Sequence, residues 1–405
     1  MANNVYNNAV KITKAALAVI EADATVLKHV RRDDKEFAQD GTAKGGDTRN
    51  IRIPGYGVWR EGRVAQPSAV SDTYIPVTLT QGGADFMVSS AELTLNIDEL
   101  SQILRPRISR VINKLDEELW ALYKKIPIVY GSASGARPTA LLPYSDARAS
   151  IHIQSGAPKD GTDVMVLHEL SQSSLVGNLG SIFNPQADIA KQYREGNLGR
   201  VNGMACSTDR NATTHTAGVQ AGSPTMNGTT AEGATSFVTQ SWSSGASTLN
   251  AGDVYTVDNV YAVDPISGLS TGILKQWCVL TTVSDSGGAM TIVNTESCRA
   301  TAGSTSGLPA NVNALPLTTA RVRPFFSTGA VAAQSLVFHP DGLIFASAPL
   351  ADMGENCHRL KAPDLNLSIR CYEYTDGPND QKLWRLDVLR GVALGRPGFA
   401  ARVAG

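Results

Sequence analysis

NIDELSQILRPRISRVINKLDEELWALYKKI, residues 96–126, is the stretch that orders the rest of the chain. Its apolar residues Leu100, Leu104, Ile108, Val111, Leu115, Leu119, Leu122 and Ile126 recur at steps of three or four, the period of a helix with one apolar face. Asn96 is placed to cap its start, and Asp98 and Glu99 complement the positive end of the helix dipole. Lys124 and Lys125 sit at the negative end, and Pro127 prevents continuation. At 1.5 Å per residue the run from Asp98 to Lys125 is about 42 Å long. Pro106 must either kink this helix or mark its true first turn after a short separate helix. Taken alone, the stretch fits the core helix of an ordinary enzyme domain; its surroundings point to a building block instead.

Those surroundings begin with composition. The chain of 405 residues is long enough for two or three domains with ample core. Only 18% of residues are charged, against 42% hydrophobic, and the 36 basic and 37 acidic residues leave a formal net charge of −1. Nothing in that balance grips nucleic acid or an anionic membrane globally. No run of 18 apolar residues occurs, and MANNVYNNAV (1–10) lacks the basic-then-apolar shape of a signal peptide, so synthesis and assembly in cytoplasm are expected. Cys206, Cys278, Cys298, Cys357 and Cys371 are odd in number and contain no C-x-x-C pair, which argues against a disulfide framework or a structural zinc site. All five are expected to be reduced and mostly buried.

Residues 5–30 read as an amphipathic helix through Val5, Ala9, Ile12, Ala16, Val19, Ile20 and Leu27, followed by a solvated charged run at 31–36 and a flexible turn at 39–47. From Thr48 to Leu95 the period changes to that of strands, at 48–53, 74–80 and 85–95. Between them GYGVWREGRVAQPSAVSD (55–72) is too polar and too rich in Gly and Pro to have its own core. It reads as an extended arm whose tip, Trp59, Arg60, Glu61 and Arg63, has the composition of an intersubunit contact. After the long helix, 126–131 reads as a buried strand and 160–180 as mixed helix and strand. SIFNPQADIAKQY (181–193) reads as a strand ending at Asn184-Pro185 and then a short helix, and 195–206 as a Gly-rich loop returning through a strand.

Composition shifts again near Ser207. Residues 207–248 are rich in Ser, Thr, Gly and Ala, and strands follow at 253–264, 275–285 and 289–297, with 314–326 closing the block. Asp285-Ser-Gly-Gly288 joins the last pair as a hairpin. Short strands at this spacing without a helical pattern predict a small closed β-barrel, inserted at about 207–325. The mixed pattern then resumes, with strands around a turn at His339-Pro340-Asp341-Gly342 and further strands at 365–374 and 382–397. The fold class is therefore α+β, a split body with an all-β domain inserted between its halves.

Chemistry is sparse. The phosphate-binding pattern G-x-x-x-x-G-K-[ST] is absent. Gly131-Ser-Ala-Ser-Gly135 has the outline of a nucleophile elbow, with Ala133 where serine must stand. His168-Glu169 opens like H-E-x-x-H, but Gln172 occupies the second ligand position. The six histidines do not cluster in sequence, Cys357-His358 is the lone adjacent pair of nucleophile and base, and Asp253, Asp258 and Asp264 could approach a cation. No catalytic, cofactor or metal site is expected.

YIPVTLTQGGADFMVSSAEL followed by ELSQILRPRISRVINKLDEELWALYKK resembles the extended loop and spine helix of tailed-phage major capsid proteins of the HK97-like fold. SIFNPQADIAKQY with EGNLGRVNGM, and the run from SLVFHPDGLIFASAPL through LNLSIRCYEYTDGPNDQKLWRLDVLRGVALGRPGFA, resemble the coat-protein branch of the short-tailed Salmonella phages. That branch carries a β-barrel insertion domain where TLNAGDVYTVDNV stands here. The resemblance implies an N-terminal arm at 1–47, an extended loop at 48–95, a spine at 96–125, axial and peripheral parts at 126–206 and 326–405, and the insertion at 207–325. It further implies a structural, non-enzymatic role in the virion. Copies would form pentamers and hexamers of an icosahedral shell around double-stranded DNA, helped by a scaffolding protein, with a portal protein at one vertex and no membrane. Two other readings stand beside it. One is an encapsulin-type nanocompartment shell of the same fold, which the inserted block disfavours. The other is a carbohydrate-binding or adhesive β-domain, for which Trp242, Tyr255, Tyr261 and Trp277 would be the aromatic platform.

Overall fold

The computed structural model describes residues 24–32, 48–55, 62–63, 72–91, 100–179, 198–301, 308–351, 354, 356–362, 365 and 367–405. In chain order come strands β1 (Arg31–Arg32), β2 (Thr48–Pro54), β3 (Asp72–Thr78) and β4 (Thr80–Ser89), then helix α1 (Leu100–Trp120) and β5 (Ile128–Gly131). Helix α2 (Leu142–Ser155), β6 (Val164–His168), α3 (Glu169–Leu179), β7 (Arg200–Val201), β8 (Met204–Asp209) and β9 (Thr214–Thr216) follow. A β-rich block holds β10 (Gly222–Met226), β11 (Ser236–Trp242), β12 (Thr248–Leu249), β13 (Val254–Val263), β14 (Ser270–Cys278), β15 (Val283–Ser284), β16 (Met290–Val293) and β17 (Val322–Pro324). The chain ends with β18 (Val331–Phe338), β19 (Leu343–Ala348), β20 (Cys357–Ala362), β21 (Leu367–Asp376), β22 (Gln381–Leu394) and β23 (Ala400–Ala404). Few helices and many strands give the expected mixed α+β class. Described residues within 24–51, 74–119 and 344–393 form one compact unit, and those within 52–73, 120–343 and 394–405 form a second.

Helix α1 lies within the stretch that the helical period marked. Ile108, Ile112, Leu115 and Leu119 are all at most 1% exposed, a stripe at i, i+4, i+7 and i+11. Ile112 takes the core position that the sequence pattern gave to Val111, which is half-buried. Pro106 lies inside the helix on an exposed position, so it is not the first turn. Residues 121–125 tighten into a 3₁₀ turn, and Ile126 leaves it in an extended conformation before Pro127. Asn96 lies outside the described residues.

In the first unit β1, β19, β22, β21 and β20 run in that spatial order, with β4 also paired to β22. The β4–β22 ladder is antiparallel and unbroken from Gln381↔Ser89 to Arg390↔Thr80. Its inward face stacks Phe86 on Trp384 at a centroid distance of 5.3 Å. Three expectations need correction here. The strand predicted to reach Leu95 ends at Ser89, with a helical turn at Ser90–Ala91. Among the described part of 5–30 there is a single 3₁₀ turn, Val26–Lys28, and not a continuing helix. Arg31 and Arg32, read as solvated, instead form a half-buried strand parallel to β19.

In the second unit β5, β23, β18, β6, β8 and β7 make a mixed sheet, with β9 paired to β18. Helices α2 and α3 cover it, and Tyr144, Ala147, Ile151, Met165, Leu167, Val337 and Val403 share one core. Gly156 ends α2 in the left-handed conformation, φ 65°, a glycine cap. Residues 181–193 lie outside the description. Residues 200–209 form the expected return, a hairpin of β7 and β8 turning at Asn202-Gly203.

Strands β8 and β9, within 204–216, belong to this body sheet, and the β-rich block follows them. Its pairings make three small sheets, β10–β11–β16, β12–β15 and β14–β13–β17, around a core of Phe237, Trp242, Tyr255, Trp277, Met290 and Ile292. Strand β14 starts at Ser270 and stops at Cys278, so the strand expected over 275–285 is shifted, and β10 and β11 arise in the polar run where none was expected. Ser286 and Ala289 exchange backbone hydrogen bonds of 2.9 and 3.1 Å across Gly287 (φ 61°) and Gly288 (φ 80°). Positive φ at both central residues is the two-residue hairpin turn that Asp285-Ser-Gly-Gly288 predicted.

Candidate assembly surface

Strands β2 and β3 form a separate two-stranded ribbon. Ile51 and Val77 are buried at its foot with Leu79, Ile344, Ala346 and Ala393. Thr48 and Thr78 hydroxyls bond across it at 2.8 Å. Ile53 is buried and Ile75 half-buried on the same face, while alternation turns the residues between them outward, Tyr74 being 59% exposed. A two-stranded ribbon has one face too few to bury itself, so its stability comes from what it packs on. Of the predicted tip, Trp59, Arg60 and Glu61 lie outside the described residues, and Arg63 is exposed beside Gly62, whose φ is +85°.

Helix α1 is fastened to its unit by two carboxylates. Asp116, 1% exposed, accepts from the backbone amides of Thr25 and Leu27, both at 3.1 Å, and so caps the turn at 26–28. Glu118 receives a two-pronged bond from Arg390, Nε to Oε2 at 2.9 Å and Nη2 to Oε1. To reach Glu118 the Arg390 side chain crosses β4 at Gly82, where a Cβ would stand 2.4 Å from Nη1. At Gly83 a Cβ would stand 1.8 Å from the Leu386 carbonyl oxygen. Two adjacent glycines thus leave a groove of about 520 Å³ between α1 and β4, lined by Arg110, Lys114, Glu117 and Arg390. The Gly-Gly inside a strand pattern was the available sequence signal.

The residues singled out for chemistry separate into structural pairs. His215 donates to or accepts from Tyr123 at 3.4 Å and meets Asp253 at 2.8 Å, and Asp253 also accepts from the amides of Gly218 and Asn250. Asp258 chelates Arg323, whose hydrogen bonds pull its carboxyl below the usual range, and Asp264 caps the β13–β14 turn at Ile266 and Ser267. The three aspartates therefore do not converge, and among the described residues no group of three or more metal-binding side chains occurs. His152 meets Asp163 at 3.0 Å beside Arg148, and His339 meets Thr162 at 3.1 Å. Hydrogen bonds from the Thr162 amide and hydroxyl hold the Asp160 carboxyl down at about 2. Cys357 and His358 lie on β20 opposite Tyr372 and Cys371. Burial pushes the thiols of Cys206 and Cys278 up to about 11 and those of Cys298 and Cys371 to about 12, and all five cysteines are free. Trp242, Tyr255 and Trp277 are at most 4% exposed and fill the block's core, leaving half-buried Tyr261 from the aromatic platform.

One buried charge was not foreseen. Arg402 on β23 is fully buried between the Tyr123 and Phe326 rings, at 5.7 and 5.9 Å from their centroids. It donates to the Gly252 carbonyl and lies 3.8 Å from the Cys278 sulfur. The body and the β-rich block meet at this side chain.

No family model matches the sequence, and no curated protein matches it. Solved structures do. A Mycobacterium phage Che8 structure is similar at 12% identity and TM-score 0.46, over 94% of this chain and 90% of that one. A cyanophage P-SCSP1u capsid structure is similar at 10% identity and TM-score 0.45, over 93% and 86%. A virus-like particle from Pyrococcus furiosus is similar at 10% identity and TM-score 0.40, over 97% of each chain.

Proposed function

We propose that this chain is the major capsid protein of a tailed double-stranded DNA phage, a shell subunit that assembles as pentamers and hexamers into an icosahedral capsid. The observation that carries the reading is an order of elements: a two-stranded ribbon, then one long helix, then a body sheet. The sequence runs quoted for the family resemblance stand in that same order. A ribbon of two strands with an 18-residue polar arm at 55–72 gains its ordering surface from a neighbouring copy, and many such exchanges close a shell. On this reading 207–325 is the insertion domain, Trp59, Arg60, Glu61 and Arg63 form the intersubunit tip, and scaffolding and portal proteins are the assembly partners in the host cytoplasm.

Electron microscopy and sedimentation of the purified chain, with and without a scaffolding partner, test the proposal. Closed shells, or aberrant shells and tubes without the partner, are expected. Deleting 55–72 should leave a folded subunit that forms none. Normal shells from that deletion, or a monomer under every condition, would refute it.

A further inference from the structure

We propose that the basic half of α1, together with the groove over Gly82 and Gly83, is a contact surface for the phosphate backbone of nucleic acid. Between Leu100 and Leu115 the helix carries Arg105, Arg107, Arg110 and Lys114 and no acidic residue, whereas Asp116, Glu117 and Glu118 follow together. In a chain of net charge −1 this is a local segregation that the overall composition hides. The helix dipole does not explain it, because three carboxylates within five residues of the C-terminal end are unfavourable there. Two of the three have other work: Asp116 caps the turn at 26–28 and Glu118 holds Arg390.

The cations are not neutralised to the same degree. Arg110 is exposed, with no carboxylate partner among the described residues. Lys114 meets Glu117 at 3.1 Å, but both side chains are more than half exposed, so the pair is weak. Positions 107, 110 and 114 follow one another at i, i+3 and i+7, one stripe of the helix with neighbours about 5–6 Å apart. Arg110 and Lys114 open onto the groove, and Arg390 forms its far wall. Over Gly82 the floor is taken by the Arg390 guanidinium, and Gly83 lies directly against the Leu386 carbonyl. A row of cations dominated by arginine, beside a groove backed by a further guanidinium, suits a ligand that presents a regular row of anionic oxygens. A nucleic-acid backbone is such a ligand; a folded acidic surface does not present its charges at regular intervals. The choice of DNA as that polyanion rests on the shell reading, while the charge row does not.

The test uses the unassembled full chain, a fluorescein-labelled 25-base-pair duplex and anisotropy between 50 and 200 mM NaCl. Three phosphate contacts weaken binding about 40-fold over that range, and one contact about 3.5-fold. The variant R110Q/K114Q should therefore fall from the steep to the shallow dependence at unchanged circular dichroism and melting temperature. R110K/K114R should keep the steep one. No binding at 50 mM, or equal slopes for wild type and R110Q/K114Q, would overturn the proposal. So would displacement of the duplex by polyglutamate at equal charge concentration, which would make an acidic polypeptide the partner. Shell formation is scored separately by electron microscopy, so loss of assembly and loss of DNA contact are distinguishable.

Discussion

Alanine at position 82 should loosen the first unit through one side chain, Arg390, and the magnitude follows from the geometry. The added methyl group would stand 2.4 Å from Arg390 Nη1 and 3.0 Å from Cζ, while the backbone at 82 is in an ordinary strand conformation. The guanidinium must therefore move, and it leaves a pair with Glu118 in which the two side chains are 11% and 26% exposed. A charged hydrogen-bonded contact of that kind is worth about 1.5–3 kcal/mol. Alanine in place of glycine returns about 0.4–1 kcal/mol by restricting the unfolded chain. The net loss is about 1.5 kcal/mol, or about 13-fold faster exchange of the β22 amides that open with this ladder. In an Arg390→Ala background nothing is left to displace, so Gly82→Ala should be neutral or slightly stabilising. Gly83→Ala provides the contrast. Its Cβ meets backbone, the Leu386 carbonyl at 1.8 Å, and should destabilise in both backgrounds. Native-state hydrogen exchange by mass spectrometry reads all four variants. If Gly82→Ala costs the same with and without Arg390, the glycine is needed for some other reason and this account fails.

Two further outcomes concern titration. Because the Asp160 carboxyl is depressed to about 2, its contacts stabilise the 156–163 loop fully above the unfolded value near 4 and are lost as pH falls toward 2. Exchange of the Thr162 amide should accordingly be faster in Asp160→Asn than in wild type at pH 5, with the two converging near pH 2; a gap independent of pH would contradict this. Cys206, Cys278, Cys298 and Cys371, with thiols raised to about 11 or 12, should alkylate slowly with iodoacetamide at pH 8 in the native chain and readily in guanidinium. Rapid native labelling of any of them in intact mass analysis would contradict this.

The parts of the fold legible in the sequence were those where one period dominates. Eight apolar residues at helical steps gave α1, and strict alternation in LNLSIRCYEY gave β21. Asp285-Ser-Gly-Gly288 specified its hairpin because only glycine takes two successive positive φ values cheaply. Helix α2 carried a weak pattern, with Ser150 and Gln154 among its buried residues, and went unread. β10 and β11 hid in a Ser/Thr/Gly run because their inward residues, such as Phe237 and Trp242, are spaced by a polar middle. β1 is two arginines paired to a strand more than 300 residues away, a contact that no local signal contains. The Gly82–Arg390–Glu118 crossing was not legible, because each residue alone reads as a surface strand, a charge or a helix face.

Arg402 also orders events in time. β23, which carries it, lies between β5 and β18 in the body sheet, paired with residues 128–131 on one side and 334–338 on the other. During synthesis on the ribosome, β5 therefore waits for some 270 residues before its neighbour exists, while the β-rich block, whose core residues lie between 226 and 322, can collapse on its own. The block is complete before the chain segment that anchors it has been made. Only when residues 400–404 emerge can Arg402 slide between Tyr123 and Phe326 and draw the Gly252 carbonyl onto the body. Until β23 has been made, the strand that joins β5 to β18 is missing and the body sheet stays open.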